Sequence, residues 1–549
     1  MPKRIAGFRQ FFDRWCSICL FYAIIGQVHG RPQKMEAAAQ CRKEKRSKAF
    51  AFIYIEMNKF NVVTFSSLEF IFRFLPFFLI AFYLAPSRYK KTVLFLAGLL
   101  FYALGAPVFL PLFLVLTGIN CLFGRRLCRT FSAASWDEES REFLRKRKKW
   151  LFYIICFDAG VLILFKLLAT ASVQLPEGTF LSGLAGAGFP LGMSFYTFKM
   201  ISYQADCYRG KIKLHGFLDA AVYFCLFPQL VSGPIMRFET AEKLFFRLGR
   251  KESDRKTVLR QNLKRLENGL YYFILGLGAK VLLADRLGIL WHEIETIGFE
   301  SISTPLAWMG AFAYSLQLYF DFAGYSLMAA GISVMIGLPF VRNFYHPYAA
   351  GSVREFFRRW HMTLGSWFRD YVYIPLGGNR KGMKRCILNL GVVWVLTGLW
   401  HGGSLNFLIW GLVLFGLIIL EKLFFGAFLQ KHRMIGRCYI VLLMPVTWMI
   451  FAITDSRQLG VYLGRMFPFM AGISGKAAGT VHTGDFLKYA RMYALFFLAA
   501  VLFCIPGVCD WLEKRKKKPL MLLAVTVVFW ASIYMVTNAV LNPFLYFSF

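Results

Sequence analysis

The sequence predicts an all-α, polytopic integral membrane protein of about 11–12 transmembrane helices, with re-entrant and interfacial helices between them. Three observations lead there. Of its 549 residues, 57% are hydrophobic and 18% aromatic, well beyond a soluble domain. Nearly uncharged apolar runs recur along the chain at the length that crosses a bilayer core, about 20 residues. The Lys and Arg residues behind a formal net charge of +35 cluster between those runs, which is the pattern of positive-inside insertion and not of a nucleic-acid groove. The expected surroundings are therefore a lipid bilayer, with no nucleic-acid partner.

Loop charge orients the spans. Residues 125–149 carry nine Lys or Arg, 237–268 ten, 342–385 nine and 422–437 four, and 514–518 read KRKKK; all are expected to face the cytoplasm. Residues 171–187, with Glu177 alone, and 289–305, with Glu293, Glu295 and Glu300, have no Lys or Arg and are expected outside, as is the C-terminus. Between these markers the spans fall near 66–85, 92–106, 107–123, 150–169, 188–206, 269–288, 306–338, 387–401, 404–420, 438–453, 491–509 and 519–541. The run 217–236 has basic loops at both ends, and parity makes it a re-entrant hairpin or a pair of half-spans. Residues 455–491 then lie outside despite five Lys or Arg.

Residues 1–56 differ from 57–549. Eleven Lys or Arg surround one short apolar run at 16–28, like a signal-type or interfacial segment, and MNKFNVVTF from Met57 reads as an alternative natural start. Most of the twelve cysteines sit inside apolar runs as small hydrophobes. Cys16 and Cys19 form a C-x-x-C without a second pair, so no metal site is expected. No dinucleotide fingerprint, Walker loop or G-x-S-x-G elbow occurs.

The chemistry-bearing residues gather late in the chain. Ser352 with Glu355 three positions on is a capping box opening an amphipathic helix over 352–370. On it Phe357, His361, Leu364 and Phe368 share a face beside Phe356, Trp360 and Trp367, ringed by Arg354, Arg358, Arg359 and Arg369. This helix is expected at the cytoplasmic interface with His361 aimed inward. A lone histidine on an apolar stripe is ordinarily a packing residue. His401 changes that reading, because it is the sole ionisable side chain from Ile387 to Leu420, beside a break at Gly402 and Gly403. Ionisable groups inside a membrane are costly, and paired imidazoles suit attack of a hydroxyl or thiol on an acyl donor. His401 lies about 21 Å of helix beyond Ile387, past the bilayer midplane, so a continuous polar tunnel is expected to connect the two histidines.

Between them the run 370–385 reads either as a solvated positive-inside loop or as a cradle in which Arg380, Lys381, Lys384 and Arg385 attract an anionic donor. Asn379, Trp360 and Trp400 complete the expected donor- and substrate-binding set. Asp321 is the only acidic or basic residue from Pro305 to Val341; it reads as a structural node bonded to Tyr319, Tyr325 and Ser326, or as a proton relay.

The strings FPLGMSFYTFKMISYQADCYRG at 189–210, FPQLVSGPI at 227–235, YFDFAGYSLMAAG at 319–331, REFFRRWHMTLGSWFRDYVYIPLGGNRKG at 354–382, GLWHG at 398–402 and the closing NPFLYFSF resemble the membrane-bound O-acyltransferase family, in particular its bacterial branch of alginate-type polysaccharide O-acetylation. The resemblance covers about 57–549. It implies a helical membrane fold with a central tunnel, His361 and His401 at the signature positions, acetyl-CoA as acyl donor with no tightly bound cofactor, and location in the inner (cytoplasmic) membrane. The implied acceptor is an extracytoplasmic polysaccharide or an SGNH-type partner protein. His401 is then expected as general base or proton shuttle and His361 as the group that positions or activates the thioester. Two rivals stand beside this: D-alanyl transfer from a carrier protein to teichoic acid, and a proton-coupled transporter or flippase using His361, His401 and Asp321.

Overall fold

A bilayer offers no water to exposed peptide groups, so each apolar run must close its own hydrogen bonds. In the computed structural model, which describes residues 64–132, 138–171, 188–248, 255–469 and 484–538, every one of the twelve predicted spans is built on helix and no strand occurs among the described residues. The basic extension 1–56, the loop 171–187 apart from Ala171, the pair Cys16 and Cys19 and the closing NPFLYFSF lie outside the described residues.

The helices run α1 (Leu75–Leu84), α2 (Lys90–Gly105), α3 (Leu110–Ser132), α4 (Glu138–Ala171), α5 (Met193–Tyr208), α6 (Phe217–Cys225), α7 (Phe238–Leu248), α8 (Arg255–Gly278), α9 (Asp285–Ile297), α10 (Thr304–Met335), α11 (Val353–Arg359), α12 (Met362–Phe368), α13 (Gly382–His401), α14 (Leu405–Leu420), α15 (Gly426–Lys431), α16 (Arg433–Ala452), α17 (Ser456–Met466), α18 (Gly484–Cys504), α19 (Pro506–Lys514) and α20 (Pro519–Asn538). Among the described residues, eight helical stretches are long and apolar enough to cross a membrane: Pro107–Arg129, Arg145–Ala169, Thr304–Met335, Gly382–His401, Leu405–Lys431, Arg433–Ala452, Gly484–Cys504 and Pro519–Asn538. The chain is a multi-pass membrane protein.

The other expected spans are helices in different settings. At α5 only Ile201 is not buried from Met193 to Cys207, so this helix is enclosed by protein and can afford Lys199, Gln204 and Asp206. The run 217–236 is α6 followed by a single tight turn and irregular backbone, with every residue from Ala220 to Met236 buried. Non-helical backbone at such a place is tolerated because protein, not lipid, surrounds it.

α10 is the central helix, and it packs on α8 at backbone contact. A methyl on Gly276 would stand 2.5 Å from the Gly324 carbonyl oxygen, and one on Gly269 2.5 Å from that of Gly331. Small residues seven apart on each helix thus let the two backbones touch. A π-helical turn, Ala279–Ala284, carries α8 into α9 and brings Lys280 to Asp285 at 2.6 Å and to Asp321 of α10 at 2.8 Å.

Candidate active site

The helix expected over 352–370 is two helices. Its start behaves as the sequence implies: the Glu355 N–H donates to Ser352 Oγ at 3.1 Å, although the Glu355 carboxylate returns to the Gly351 N–H at 2.9 Å and not to that of Ser352. Glu421, from beyond the end of α14, accepts from the Val353 and Arg354 N–H groups at 2.6 and 3.2 Å. An anion at a helix N-terminus is favourable, and this one fastens α11 to the α14 side of the protein. The helix stops at Arg359 because His361 is left-handed, φ 42°. Tyr345 N–H donates to the Arg359 carbonyl at 2.9 Å and Met362 N–H to the Asn343 carbonyl at 2.8 Å, so the extended segment before α11 has captured the backbone groups at the break. Positive φ at a residue other than glycine is strained, at a cost of about 1–3 kcal/mol, and such strain persists where surrounding contacts fix it.

That break sends the imidazole inward. His361 is 3% exposed, and a charged imidazolium so enclosed is costly, which favours the neutral ring. Its Nδ1 lies 3.1 Å from Asn343 Oδ1. The amide oxygen is identified by its other partners, since the Thr363 N–H, which can only donate, meets it at 3.2 Å and the Thr363 hydroxyl at 2.8 Å. Asn343 Nδ2 donates to Ser326 Oγ at 2.7 Å. The hydrogen of His361 is therefore on Nδ1, and Nε2 holds a lone pair with no hydrogen-bond partner among the described residues.

His401 ends α13, where the extended Gly402 and a bend at Gly403 turn the chain into α14, as the sequence implies. It is 7% exposed, and Trp410 and Phe451 stand edge-on to its ring at 5.2 and 5.0 Å between centroids. Trp400 joins the two histidines: its indole centroid is 4.6 Å from His401 and 6.3 Å from His361. Phe195 and Phe198 of α5 close the same indole from another side, at 6.3 and 5.7 Å.

One expectation is revised: His361 lies level with the His401 end of α13 and not with its Gly382 end, since α13 rises about 28 Å from Gly382 to His401 and His361 packs on Trp400 near the far end of that rise. The Trp400 indole packs against both imidazoles. Two apolar flank grooves, of about 1060 and 500 Å³, include neither histidine in their walls.

The remaining expected residues divide. Trp360 is buried one aromatic layer out, edge-on to Phe344 at 5.1 Å, with Phe344 stacked towards His361 at 6.4 Å. Asn379, Arg380 and Lys381 lie exposed on the turn before α13, away from the buried imidazoles. Asp321 pairs with Lys280, and Ser326, one of its expected partners, accepts instead from Asn343. The partner was invisible locally because it lies on another helix. Sequence reading also passed over Asn343 and Lys166. Lys166 stands alone among apolar residues between Asp158 and Glu177, the same signal that singled out His401, and its ammonium donates to the Trp400 carbonyl.

Residues 125–464 match the model of the membrane-bound O-acyltransferase family, a span that contains both histidines, Asn343 and Lys166. The chain belongs to that family. As a membrane-bound O-acyltransferase it is an enzyme of acyl transfer. It is 34% identical over 414 residues to the Pseudomonas putida protein named "Probable alginate O-acetylase AlgI", covering 74% of this chain and 81% of that one. It is 30% identical over 387 residues to the peptidoglycan O-acetyltransferase of Helicobacter pylori, 64% of this chain and 69% of the relative. The teichoic acid D-alanyltransferase of Bacillus subtilis is 32% identical over 231 residues, 40% of this chain and 56% of the relative.

Proposed function

We propose that this acyltransferase moves acetyl from cytoplasmic acetyl-CoA to a hydroxyl of an extracytoplasmic cell-surface polysaccharide, directly or by way of an SGNH-type partner protein, in the inner membrane. The acetyl group and the glycan class are inferred from the relatives named for O-acetylation, which share more of the chain than the D-alanyltransferase does. The observation that carries the site is the pair of buried imidazoles on one indole, with His361 held in a single tautomer.

In this reading the acceptor hydroxyl gives its proton to His361 Nε2 as its oxygen bonds to the thioester carbonyl carbon. The tetrahedral intermediate then collapses, the C–S bond breaks, and the thiolate recovers a proton by way of His401. Asn343 keeps Nδ1–H out of the reacting space, which supports His361 as the base and reverses the division of roles expected from sequence. Arg380, Lys381 and Asn379 serve at most as an outer attractor for the anionic donor, since they are exposed. A proton-transporter reading is less favoured, because Asp321 is already engaged by Lys280.

The test uses sealed, oriented vesicles with labelled acetyl-CoA on one side only. His361→Ala and His401→Ala are each expected to lower transfer to an acceptor on the opposite side by at least about 10², in protein that remains folded. Near wild-type transfer by either variant at equal expression removes that residue from the mechanism, and activity only when donor and acceptor share a side defeats transfer across the membrane.

A further inference from the structure

Lys166 lies in the membrane-spanning part of α4, and its ammonium donates to the carbonyl of Trp400, the residue between the two imidazoles' packing partners and the peptide adjoining His401. It also stands 5.4 Å from the centre of the Phe189 ring, on the segment leading into α5. Trp400 belongs to the last turn of α13, where backbone carbonyls run out of intrahelical donors and the helix dipole is negative. A buried ammonium costs several kcal/mol to desolvate, so a lysine here is an expensive way to cap a helix that a serine or a water would cap as well.

What distinguishes this place is what hangs from the capped turn. Trp400 reaches towards His361 and is packed by Phe195 and Phe198, while His401 faces Phe407 and Trp410 of α14 and Phe451 of α16. Lys166 therefore holds the peptide that adjoins His401, and with it the turn that carries both rings.

We propose that Lys166 is a positioning residue for acyl transfer, clamping the Trp400 carbonyl so that indole and His401 imidazole stay in register with His361. This rests on the reading of the two histidines given above.

The experiment uses the full chain in proteoliposomes with labelled acetyl-CoA, comparing Lys166→Arg, Lys166→Gln and Lys166→Met, with thermal stability in detergent measured alongside. Lys166→Met and Lys166→Gln are expected to lower kcat roughly a hundredfold with KM for acetyl-CoA within about threefold. Lys166→Arg, which keeps a donor long enough to reach the carbonyl, is expected to recover most of the rate. A cap without catalytic consequence gives a different result: Met and Gln variants that are less stable yet keep kcat, or an Arg variant as slow as the Met variant, overturn the proposal. If the Met variant does not fold, the Gln variant, whose amide stops short of the carbonyl, decides by the same kcat. A His401→Ala protein that still transfers sinks the reading of the site itself; one that is inactive beside a normal Lys166→Gln protein sinks only the role of Lys166.

Discussion

The α8–α10 pair and the α11–α13 region handle buried polar groups in opposite ways. Along α8 and α10 the helices run on past a π-helical turn, the backbones touch at Gly276 and Gly324, and Lys280 is shared between Asp285 and Asp321. Around His361 the helix is broken, the backbone is strained at φ 42°, and a ring nitrogen is buried with no partner among the described residues. A satisfied buried network rigidifies, whereas an unsatisfied group held by strain is poised for a ligand. On the function proposed above, the first region holds the protein together and the second is where it reacts.

The comparison breaks first at its glycines. Gly324→Leu puts a side chain where the nearest atom, the Gly276 carbonyl oxygen, is 2.6 Å from the first carbon, and no monodisperse protein is expected on size exclusion. A well-behaved, active Gly324→Leu protein would show that the two helices can separate, and the scaffold reading would be lost. Next in size, Lys280→Met leaves the buried Asp321 and the half-buried Asp285 without their shared cation and is expected to cost about 3 kcal/mol, read as a lower melting temperature in detergent. Whatever protein folds should keep its transfer rate, and a selective loss of rate at unchanged stability would move the ion cluster into the mechanism.

Asn343→Ala tests the other side of the contrast. It frees the His361 ring to adopt either tautomer and is expected to lower kcat by about a hundredfold, with a smaller change in melting temperature than Lys280→Met. A variant as fast as the wild type would show that the tautomer does not matter. The smallest effect is expected at the exposed turn: Arg380→Gln with Lys381→Gln should raise KM for acetyl-CoA by about threefold or less and weaken its salt dependence, in line with surface charges screened by solvent. A loss of kcat at saturating donor would place these residues much nearer the reaction than their exposure suggests.

Several of these residues were legible beforehand. His401 announced itself as an ionisable group alone in an apolar run, and the capping box at Ser352 marked where α11 begins. Asn343 carried no such mark, since an asparagine in a polar connection is unremarkable until Thr363 and His361 converge on its oxygen. The periodicity over 352–370 was sound for each half, yet it missed the break, because the hydrogen bonds that favour it come from Asn343 and Tyr345, outside the helix.

What the sequence determined by itself was the class of molecule, the helical runs, the turn at Gly402 and the two histidines, all of which follow from local composition and the cost of placing a charge in lipid. Tertiary structure decided which buried charges are paired, that Lys280 comes to Asp321 and Lys166 to Trp400, and that His361 meets His401 through one indole near the far end of α13. The reason is physical. The cost of burying a polar group is written in its own neighbourhood of sequence, but the partner that offsets it can come from any helix, and only packing brings the two within bonding distance.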